Sequence, residues 1–523
     1  AVIFLIYPGF NLGSVAIHYN CVNKLEMPDF KGRQLAQLTK DERKAIMAYN
    51  NGDVESTYQV YHEMLPKVPV TELDLIDITV RMFTEPVLRV DLKKARAELK
   101  REQDAKALAI ESSGADLDTL ASNPKFVRAL ESLGVAVPTK PSPSIEGKRI
   151  PAIAKSDDAL QAFLTHPNSK VVSLVAGRLA AKSTIGESRA ARMILSGSGG
   201  LRLPIYLNYA MAHTLRWSGG DKMNPQNFKQ KKKVGGALRE CILAPHGDVL
   251  VVVDAAQIEA RVVAWLAEEE WVLDAFRNKR DIYSEFASDA YNRPISKADL
   301  EERFVGKTCV LGLGFGMGGP KLQSTLLTQS VNQGLDPVRL PVELCYELVN
   351  RYRAKCKKIA GLWKFTNDHV IGAMLSGRKL EFKGLTAREG EILLPNGLAL
   401  LYPGLNANVV QTGGGLFGAS GFSEAIHDAS YLSSRGRSKI YGGLLVENIV
   451  QALARIIVAD VMRQIALRYS VVMMTHDEIV FLAKKKAAQA ALDWAIELMS
   501  QPPSWAPDLP LSAEGGYDVS YSK

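Results

Sequence analysis

Two aspartates that close apolar runs are the residues of this sequence whose type and placement could do chemistry. Asp254 ends the run LVVVD, and Asp477 lies within SVVMMTHDEIVFLA, where two apolar runs flank a polar triplet. Each run predicts a buried strand, and the second pair predicts a hairpin. Adjacent strands of one sheet would bring the carboxylates together, where they would repel by ~4 kcal/mol at about 4 Å and an effective dielectric near 20. A metal site is the natural reason for such a pairing.

A pair of carboxylates of this kind suits phosphoryl transfer onto a hydroxyl. Two divalent ions roughly 4 Å apart can activate the attacking oxygen and hold a leaving pyrophosphate. Mg²⁺ prefers hard oxygen ligands and keeps waters, so two aspartates with substrate phosphates would suffice to hold it. An Asp that closes a strand is, however, more often a turn or cap residue, so the pairing needs support from other segments.

The segment ERFVGKTCVLGLGFGMGG (302–319) provides that support. Its chemically distinctive side chains recur at every fourth position: Arg303, Lys307, Leu311 and Phe315. This spacing predicts a helical stripe with two cations at one end and apolar side chains at the other. A triphosphate could lie along the cationic end while its base packs against the apolar end. The alternative is a solvated helix whose cations pair with the neighbouring Glu301 and Glu302.

Two other motif classes are excluded by the same reading. The glycines at 312–319 resemble a GxGxxG dinucleotide loop, but they follow a helical stripe rather than a strand, so a Rossmann site is not predicted. The five cysteines are scattered and form no CxxC pair, which indicates neither a disulfide framework nor a zinc site. A reducing compartment such as the cytoplasm is expected.

Composition and periodicity describe a multi-unit globular protein. Hydrophobic residues make up 47% and charged residues 23% of the 523 positions, a balance that excludes a disordered chain and allows roughly three packed units. The formal charge of +8 permits a polyanionic partner without requiring one. The apolar start (1–10) is too short to span a membrane and lacks a basic leader, so we expect a strand there.

Helical spacing predicts helices over 35–65, 91–132 and 155–195. A Pro- and Ser-rich loop is predicted over 138–151, and the run SGSGG at 196–200 suits a hinge or tip. The second half alternates strands and helices. No repeat with a period of 20 to 50 residues is present, which excludes a solenoid.

Three motifs, in this order, resemble family A DNA polymerases of the bacterial DNA polymerase I class, particularly those of bacteriophages. DAAQIEAR (254–261) resembles the first palm motif, Asp-Tyr-Ser-Gln-Ile-Glu-x-Arg. The segment from Arg303 to Gly316 resembles the fingers helix, Arg-x3-Lys-x3-(Phe/Tyr)-x3-Tyr-Gly, and His476-Asp477-Glu478 matches the second palm motif. HTLRWSGGDKMNPQNF (213–228) and ENIVQALAR (447–455) are similar to two further conserved segments of the family.

The resemblance implies a mixed α/β (α+β) multidomain fold shaped like a right hand, with an antiparallel palm sheet, helical fingers and a helical thumb. The implied regions are a C-terminal remnant of a 3′-5′ exonuclease domain (1–69), the thumb (70–200), the palm (201–265 and 376–523) and the fingers (266–375). Most of the exonuclease domain would be absent from this chain.

The resemblance also implies roles for individual residues. Asp254 and Asp477 would bind two Mg²⁺ ions, for which Mn²⁺ could substitute, with the Ala255 carbonyl facing one ion and Glu478 as a supporting carboxylate. Arg303 and Lys307 would hold the triphosphate, and Lys307 would donate a proton to the pyrophosphate. The other implied nucleotide-site residues are Leu311, Phe315, Gln257, Ile258, Glu259 and His476. The implied DNA contacts are Arg216 near the primer terminus, Asn448 and Gln451 in the minor groove, and Arg239, Gly316, Lys182 and Arg189.

Two positions depart from the family pattern. Glu259 would wall off a ribose 2′-hydroxyl, and the family anchors this glutamate through a tyrosine whose place is taken here by Phe315. Glu259 must therefore find another partner, and we expect sugar discrimination to survive through bulk. Leu311 replaces a Phe or Tyr and has no phenolic hydroxyl, so we expect strong rejection of dideoxynucleotides.

Basic and exonuclease-like features complete the prediction. Lys229 and Lys231–Lys233 could touch backbone phosphates or belong to a solvated loop. Lys182, Arg189 and Arg192 could grip a duplex from the thumb. Tyr49 and Asp53 resemble a Tyr-x3-Asp exonuclease motif, but residues 1–48 lack the acidic residues of the two earlier motifs, so no proofreading is expected.

The predicted enzyme is a template-directed DNA polymerase that acts on primer-template DNA and deoxynucleoside triphosphates. A helicase or primase would be a further partner, and no membrane is involved. A single-subunit RNA polymerase shares the hand and both aspartates, and a non-catalytic DNA-binding relative is the alternative from another class. Gln257, Ile258 and Glu259 together with the His-Asp-Glu triplet favour DNA synthesis.

Overall fold

The computed structural model describes residues 12–21, 32–142, 145, 147–155, 157–220, 223–228, 237–333, 335–412, 423–433 and 436–522. No helix within these ranges is long and apolar enough to cross a membrane. The strand predicted at 1–10 and the basic cluster of Lys229, Lys231, Lys232 and Lys233 lie outside the described residues.

Three helices open the described chain: α1 (Leu12–His18), α2 (Lys40–Met64) and α3 (Val70–Thr84). A capping box starts α2, because the Thr39 hydroxyl accepts from the Glu42 N–H at 3.2 Å and the Glu42 carboxylate accepts from the Thr39 N–H at 2.8 Å. Reciprocal bonds of this kind satisfy two of the unpaired donors at a helix start. The helix predicted over 35–65 is confirmed and begins at Lys40.

A helical unit with its own core follows the short strand β1 (Arg89–Val90). Its helices are α4 (Leu92–Ser112), α5 (Leu117–Ala121), α6 (Asn123–Ser132), α7 (Asp158–Phe163), α8 (Ser169–Lys182) and α9 (Ile185–Gly197). Leu120, Phe126, Leu130 and Val171 are buried at its centre. The predicted helices over 91–132 and 155–195 are therefore confirmed. The loop predicted over 138–151 instead contains a two-stranded hairpin, β2 (Thr139–Pro141) and β3 (Arg149–Pro151), in which each strand carries a Pro at an edge position.

The chain then enters its sheet region. The elements of this stretch are β4 (Leu207–Asn208), β5 (Ser218–Gly219), α10 (Ala237–Glu240), β6 (Ile242–Leu243) and β7 (Asp248–Ala255). Five consecutive residues of β7, from Val249 to Val253, are buried. A continuous β-branched run of this kind is typical of a strand covered on both faces.

A run of eight helices separates β7 from the remaining strands. They are α11 (Ile258–Ala267), α12 (Glu270–Arg277), α13 (Ile282–Tyr291), α14 (Leu300–Leu313), α15 (Gly319–Gln333), α16 (Val342–Lys355), α17 (Lys357–Phe365) and α18 (Ile371–Ser376). α14 packs against α13, α15 and α16. These helices form a second helical unit, which follows β7 in the sequence, whereas the first unit precedes it.

Seven strands that the sequence analysis did not resolve come next. They are β8 (Leu380–Phe382), β9 (Leu385–Arg388), β10 (Glu391–Leu393), β11 (Ala399–Leu401), β12 (Asn406–Thr412), β13 (Ser423–Ser433) and β14 (Gly436–Lys439). They form a four-stranded sheet in the order β11-β10-β9-β8 and a three-stranded sheet in the order β12-β13-β14, both antiparallel.

The chain ends with the elements that complete the central sheet. They are α19 (Gly442–Ala466), β15 (Val471–Thr475), β16 (Glu478–Lys484), α20 (Ala488–Met499) and β17 (Ala513–Asp518). The strand order is β15-β16-β7-β17, and every pairing is antiparallel. α19 is apolar on most of its surface and packs against α3, α11 and α17. The predicted strand at 250–254 and the predicted hairpin at 470–483 are both confirmed.

Candidate active site

The central sheet brings Asp254 and Asp477 to the same edge. Asp254 is the next-to-last residue of β7, and its strand partner on β16 is Glu478. Asp477 lies in the tight turn between β15 and β16, and its carbonyl accepts a hydrogen bond from the Ala255 N–H at 3.1 Å. His476 makes this turn possible with a left-handed backbone, φ 56°. The prediction that neighbouring strands bring the two aspartates together is confirmed.

The electrostatics of the pair are unfavourable without a counter-charge. Burial and, second to it, the charge of the nearby Asp254 carboxylate together raise the pKa of Asp477 to about 7. Two carboxylates that share a site cannot both ionise freely, so one holds a proton until a cation compensates the charge. A divalent ion is one such cation.

The donor set fits a hard metal ion. Among the described residues, no group of three His, Cys, Asp or Glu side chains is arranged to hold a metal, so this part of the chain supplies two carboxylates rather than a closed cage. Mg²⁺ typically binds through one or two carboxylates and completes its octahedron with water and substrate phosphates. Asp254 and Asp477 suit that arrangement, and the role of the Ala255 carbonyl stays a prediction.

Glu478 is held inside the protein beside this pair. Its carboxylate accepts from Arg239 at 2.9 and 3.1 Å and from the Thr475 hydroxyl at 2.9 Å, and it also accepts from the Tyr521 hydroxyl. The Arg239 guanidinium lies 3.9 Å from the centre of the Tyr521 ring. Both charges are buried, so the ion pair with Glu478 gives Arg239 a structural role. This placement does not support the predicted contact of Arg239 with DNA. The role of Glu478 as a supporting carboxylate stays a prediction.

Glu259 forms an ion pair with Arg216, which arrives from a loop ahead of β5. Glu259 lies in the first turn of α11, just after Gln257, whose left-handed backbone (φ 55°) turns the chain from strand to helix. Ile258 is buried in the core, and the Gln257 side chain bonds to Tyr283. The sequence required a new partner for Glu259 without naming one, and Arg216 is that partner in the structure.

Helix α14 carries the cationic stripe. Arg303, Lys307 and Leu311 are half-buried, whereas the residues between them are mostly buried, so the stripe lies on the more open face of the helix. The Arg303 Nε–H donates to Asp281 at 2.7 Å, and its guanidinium lies 5.5 Å from the Tyr283 ring. Its partner is therefore Asp281, from the preceding helix, and not one of the neighbouring glutamates.

The stripe is shorter than predicted. α14 ends at Leu313, where the Gly314 carbonyl accepts from the Trp363 indole at 2.9 Å. Phe315 and Gly316 lie in the following turn, and Gly316 has φ 82°. The placement of Phe315 on the helix was wrong, because this left-handed glycine cannot continue an α-helix.

Asp281 is tuned by its contacts. Burial alone would raise the pKa of Asp281, but hydrogen bonds from Arg303 and Ser284 outweigh it and lower the pKa overall. Asp281 is therefore ionised at neutral pH. It forms an ion pair with the Arg303 guanidinium.

His476 and two α19 side chains surround the same region. The His476 Nε2–H donates to the Gln226 carbonyl at 3.2 Å, and desolvation followed by the charge of Arg216 lowers its pKa. Asn448 is buried and donates to the Tyr402 hydroxyl at 3.1 Å. Gln451 donates to Glu447 at 3.1 Å and accepts from the Thr214 hydroxyl at 3.3 Å. The predicted minor-groove roles of Asn448 and Gln451 stay predictions.

The remaining predicted residues lie on helices outside the central sheet. Lys182 is exposed in the last turn of α8, and the Arg189 guanidinium on α9 lies 5.9 Å from the Phe228 ring. Tyr49 and Asp53 lie one turn apart on α2, and both are half-buried. Nothing in their surroundings tests the predicted contacts with DNA or the exonuclease ancestry.

Comparison with known proteins identifies relatives of one kind. A family model described as DNA polymerase family A matches residues 161–390, a stretch that includes Asp254 and α14 but not Asp477. A DNA polymerase of Bacillus phage SP02 is 34% identical over 296 residues, which are 55% of this chain and 43% of the relative. DNA polymerase I of Pseudomonas aeruginosa is 28% identical over 327 residues, covering 59% of this chain and 34% of the relative. The chain thus spans less than half the length of either relative.

A solved structure supports the fold. The POL domain of Pol1 from M. smegmatis, in complex with DNA primer-template and dNTP, aligns with 100% of this chain and 81% of its own at a TM-score of 0.66. The sequence identity is 17%, so this likeness concerns the architecture. The expected fold class, an antiparallel sheet combined with helical units, is confirmed.

Proposed function

We propose that this chain is a DNA polymerase of family A, which extends a primer 3′-hydroxyl with deoxynucleotides in a template-directed reaction. The single observation that carries this proposal is the meeting of Asp254 and Asp477 at one edge of the central sheet, with the pKa of Asp477 raised to about 7. Relatives named DNA polymerase, and a neighbour bound to primer-template DNA and dNTP, support the same substrates.

Asp254, Asp477 and the Ala255 carbonyl are the groups that would hold two Mg²⁺ ions. When bound, such ions lower the pKa of the attacking hydroxyl and neutralise charge on the leaving pyrophosphate. The carboxylates provide the negative charge that keeps the ions in place. The repulsion between the two carboxylates would be offset when divalent cations bind, so the pair would favour such cations.

The α14 stripe would bind the triphosphate. Arg303 and Lys307 lie one helical turn apart, and a planar guanidinium can grip phosphate oxygens through two parallel hydrogen bonds. On binding, Arg303 would exchange Asp281 for phosphate. Lys307 would supply a second positive charge and, as a donor close to the leaving group, a proton for the departing pyrophosphate.

The other site residues would orient the nucleotide and exclude the wrong sugar. His476 is largely neutral at pH 7 because its pKa is lowered, so it would act as a hydrogen-bond donor rather than as a charge. Phe315 would stack on the base, and Leu311 would pack beside it. Glu259, held by Arg216, would occupy the space that a ribose 2′-hydroxyl requires.

We assign residues 70–200 to the thumb, 201–265 and 376–523 to the palm and 266–375 to the fingers. The first helical unit falls within 70–200, helices α12 to α17 of the second fall within 266–375, and the central sheet falls within the two palm segments. The Bacillus phage relative supports a role in phage DNA replication in the host cytoplasm, where a helicase or primase would act with this chain.

Primer extension tests the proposal directly. A primed DNA template is incubated with Mg²⁺ and either the four deoxynucleotides or the four ribonucleotides, using the native protein, Asp254→Asn and a control, Asp493→Asn, at an exposed position of α20. We expect extension with deoxynucleotides by the native protein and the control, and a loss of at least about a thousandfold in Asp254→Asn. Equal activity of Asp254→Asn would contradict the proposal, and a preference for ribonucleotides would favour an RNA polymerase.

A further inference from the structure

The loop that carries Arg216 into the site has an unusual backbone. This loop, residues 209–217 and called the Arg216 loop below, contains two non-glycine residues in the left-handed region, Ala210 at φ 50° and Leu215 at φ 62°. Such conformations cost free energy for residues with a Cβ and persist only where the surroundings fix them. Leu215 directly precedes Arg216, so whatever fixes its backbone also sets the direction of the Arg216 side chain.

Arg455 of α19 is the group that fixes the Arg216 loop. Its Nε–H donates to the Leu215 carbonyl at 3.2 Å. Its guanidinium carbon lies 4.6 Å from the Trp217 ring centre and 5.4 Å from the Tyr209 ring centre, so both ends of the loop pack against it. The loop is thus closed around one buried cation.

Arg455 is in turn held by Glu72 of α3. The two guanidinium nitrogens donate to the Glu72 carboxylate at 2.8 and 2.7 Å, and the two side chains are only 1% and 2% exposed. Glu72 also accepts from the Tyr209 hydroxyl and, at 2.7 Å, from the Asn396 amide. Burial alone would raise the pKa of Glu72, but the hydrogen bond and charge of Arg455 lower it overall.

The pair spans distant parts of the chain. Glu72 and Arg455 are 383 residues apart, and they join α3, α19 and the Arg216 loop at one point. A buried ion pair often adds little to stability compared with apolar residues of similar size, and its better-attested use is to specify one arrangement. The arrangement specified here is the one that directs Arg216 to Glu259.

We propose that Arg455, anchored by Glu72, is a positioning residue for nucleotide selection: it fixes the Leu215 backbone, so that Arg216 holds Glu259 against the sugar. This inference rests on the proposed function. Contacts in the palm core would thus anchor Glu259, a role that the family gives to a tyrosine whose place is taken here by Phe315. The Arg455 side chain is buried, so its influence on sugar choice would pass through Arg216.

The test compares sugar discrimination in matched variants. Glu72→Gln/Arg455→Met removes both buried charges while the glutamine oxygen still accepts from Tyr209, which limits the loss of stability. Arg216→Met removes the next link, and a combined variant removes both. The control, Asp74→Asn/Arg463→Met, removes a second ion pair between α3 and α19, whose charged groups lie 3.8 Å apart.

The readout is the ratio of kcat/KM for a deoxynucleotide to kcat/KM for the matching ribonucleotide, measured beside Tm. We expect Glu72→Gln/Arg455→Met and Arg216→Met each to lower this ratio about tenfold, the effect of losing one charge-assisted hydrogen bond. The combined variant should lower it no further, because residues acting through one pathway are not additive. The control should leave the ratio unchanged.

Several results would overturn the inference. An unchanged ratio in Glu72→Gln/Arg455→Met, even with a lower Tm, would show a purely structural role, and so would an additive loss in the combined variant. If the double variant does not fold, Arg455→Lys keeps the charge opposite Glu72 but lacks the Nε–H, and its ratio must also fall. A native protein that extends no primer would instead contradict the proposed function.

Discussion

Replacing Asp477 by Asn should stabilise the metal-free protein while removing its proposed activity. In the folded chain burial, followed by the Asp254 charge, raises the pKa of Asp477 from 3.8 to about 7. In the unfolded chain the same carboxyl has its ordinary pKa and ionises freely. Folding must therefore either protonate this carboxyl group or bury it with an unfavourable charge. An asparagine is neutral in both states, so it avoids this cost in folding free energy.

The magnitude follows from the shift. Each pKa unit corresponds to about 1.4 kcal/mol, so the native Asp477 carboxylate costs at most about 4 kcal/mol of folding free energy above pH 7. Solvent reaches part of this half-buried group, so a gain of about 2–3 kcal/mol for the Asn variant is the practical expectation. The sign is fixed because the folded pKa exceeds the unfolded one. The cost therefore grows as pH rises from about 4 to 7 and fades below pH 4.

Urea denaturation in the presence of a chelator measures this effect. The free energy of unfolding of Asp477→Asn should exceed that of the native protein at pH 8 by about 2–3 kcal/mol and at pH 4 by less than about 1 kcal/mol. Asp493→Asn, at an exposed position, should show neither change. A variant that is no more stable than the native protein at pH 8 would refute the reasoning that burial and the Asp254 charge make the ionised Asp477 unfavourable.

The remaining predictions concern neighbouring parts of the site. Glu478→Leu should lower the free energy of unfolding by about 3–5 kcal/mol, because it leaves Arg239 buried and unpaired. Adding Arg239→Met should recover most of this loss in chemical denaturation, and a double variant as unstable as the single one would contradict the prediction. Leu311→Tyr should raise dideoxynucleotide use about tenfold by supplying a hydroxyl donor, and unchanged termination in primer extension would count against the placement of α14. A protein made of these 523 residues should show no Mg²⁺-dependent 3′-5′ degradation of single strands, and degradation of a labelled oligonucleotide would contradict this expectation.

The central sheet could be predicted because its signals are local. The apolar runs before Asp254 and around Asp477 are continuous, and burying them requires strands. The convergence of the two aspartates then followed from strand adjacency. The helices over 91–132 and 155–195 could be predicted for the same reason, since their periodicity extends over many turns, whereas the second helical unit was expected only from the resemblance.

The ion pairs could not be predicted, because a charge in a sequence does not specify its partner. Arg216 and Glu259 are 43 residues apart, and the resemblance assigned Arg216 to DNA rather than to the glutamate. Glu72 was not singled out at all, since a lone glutamate in an amphipathic helix is usually solvated. Its burial depends on Arg455, which arrives from the far end of the chain.

The end of α14 shows a different limit. The four-residue spacing continues through Phe315, but the backbone leaves the helix at Gly314 because Gly316 adopts φ 82°. A second constraint comes from Gly443 at the start of α19, where a Cβ would lie 2.6 Å from the Phe315 carbonyl oxygen. This close approach between distant segments fixes the turn, and it cannot be predicted from the periodicity of side chains along one segment.

The shared metal site is tested most directly by counting bound ions. Mn²⁺ substitutes for Mg²⁺ in sites of this type and is detected by electron paramagnetic resonance, so titration of the protein with primer-template DNA and a non-hydrolysable deoxynucleotide gives the number of ions held. We expect two ions in the native complex and fewer in both Asp254→Asn and Asp477→Asn, with the same loss from either change. Two fully bound ions in both variants would contradict the claim that these aspartates hold the metals together.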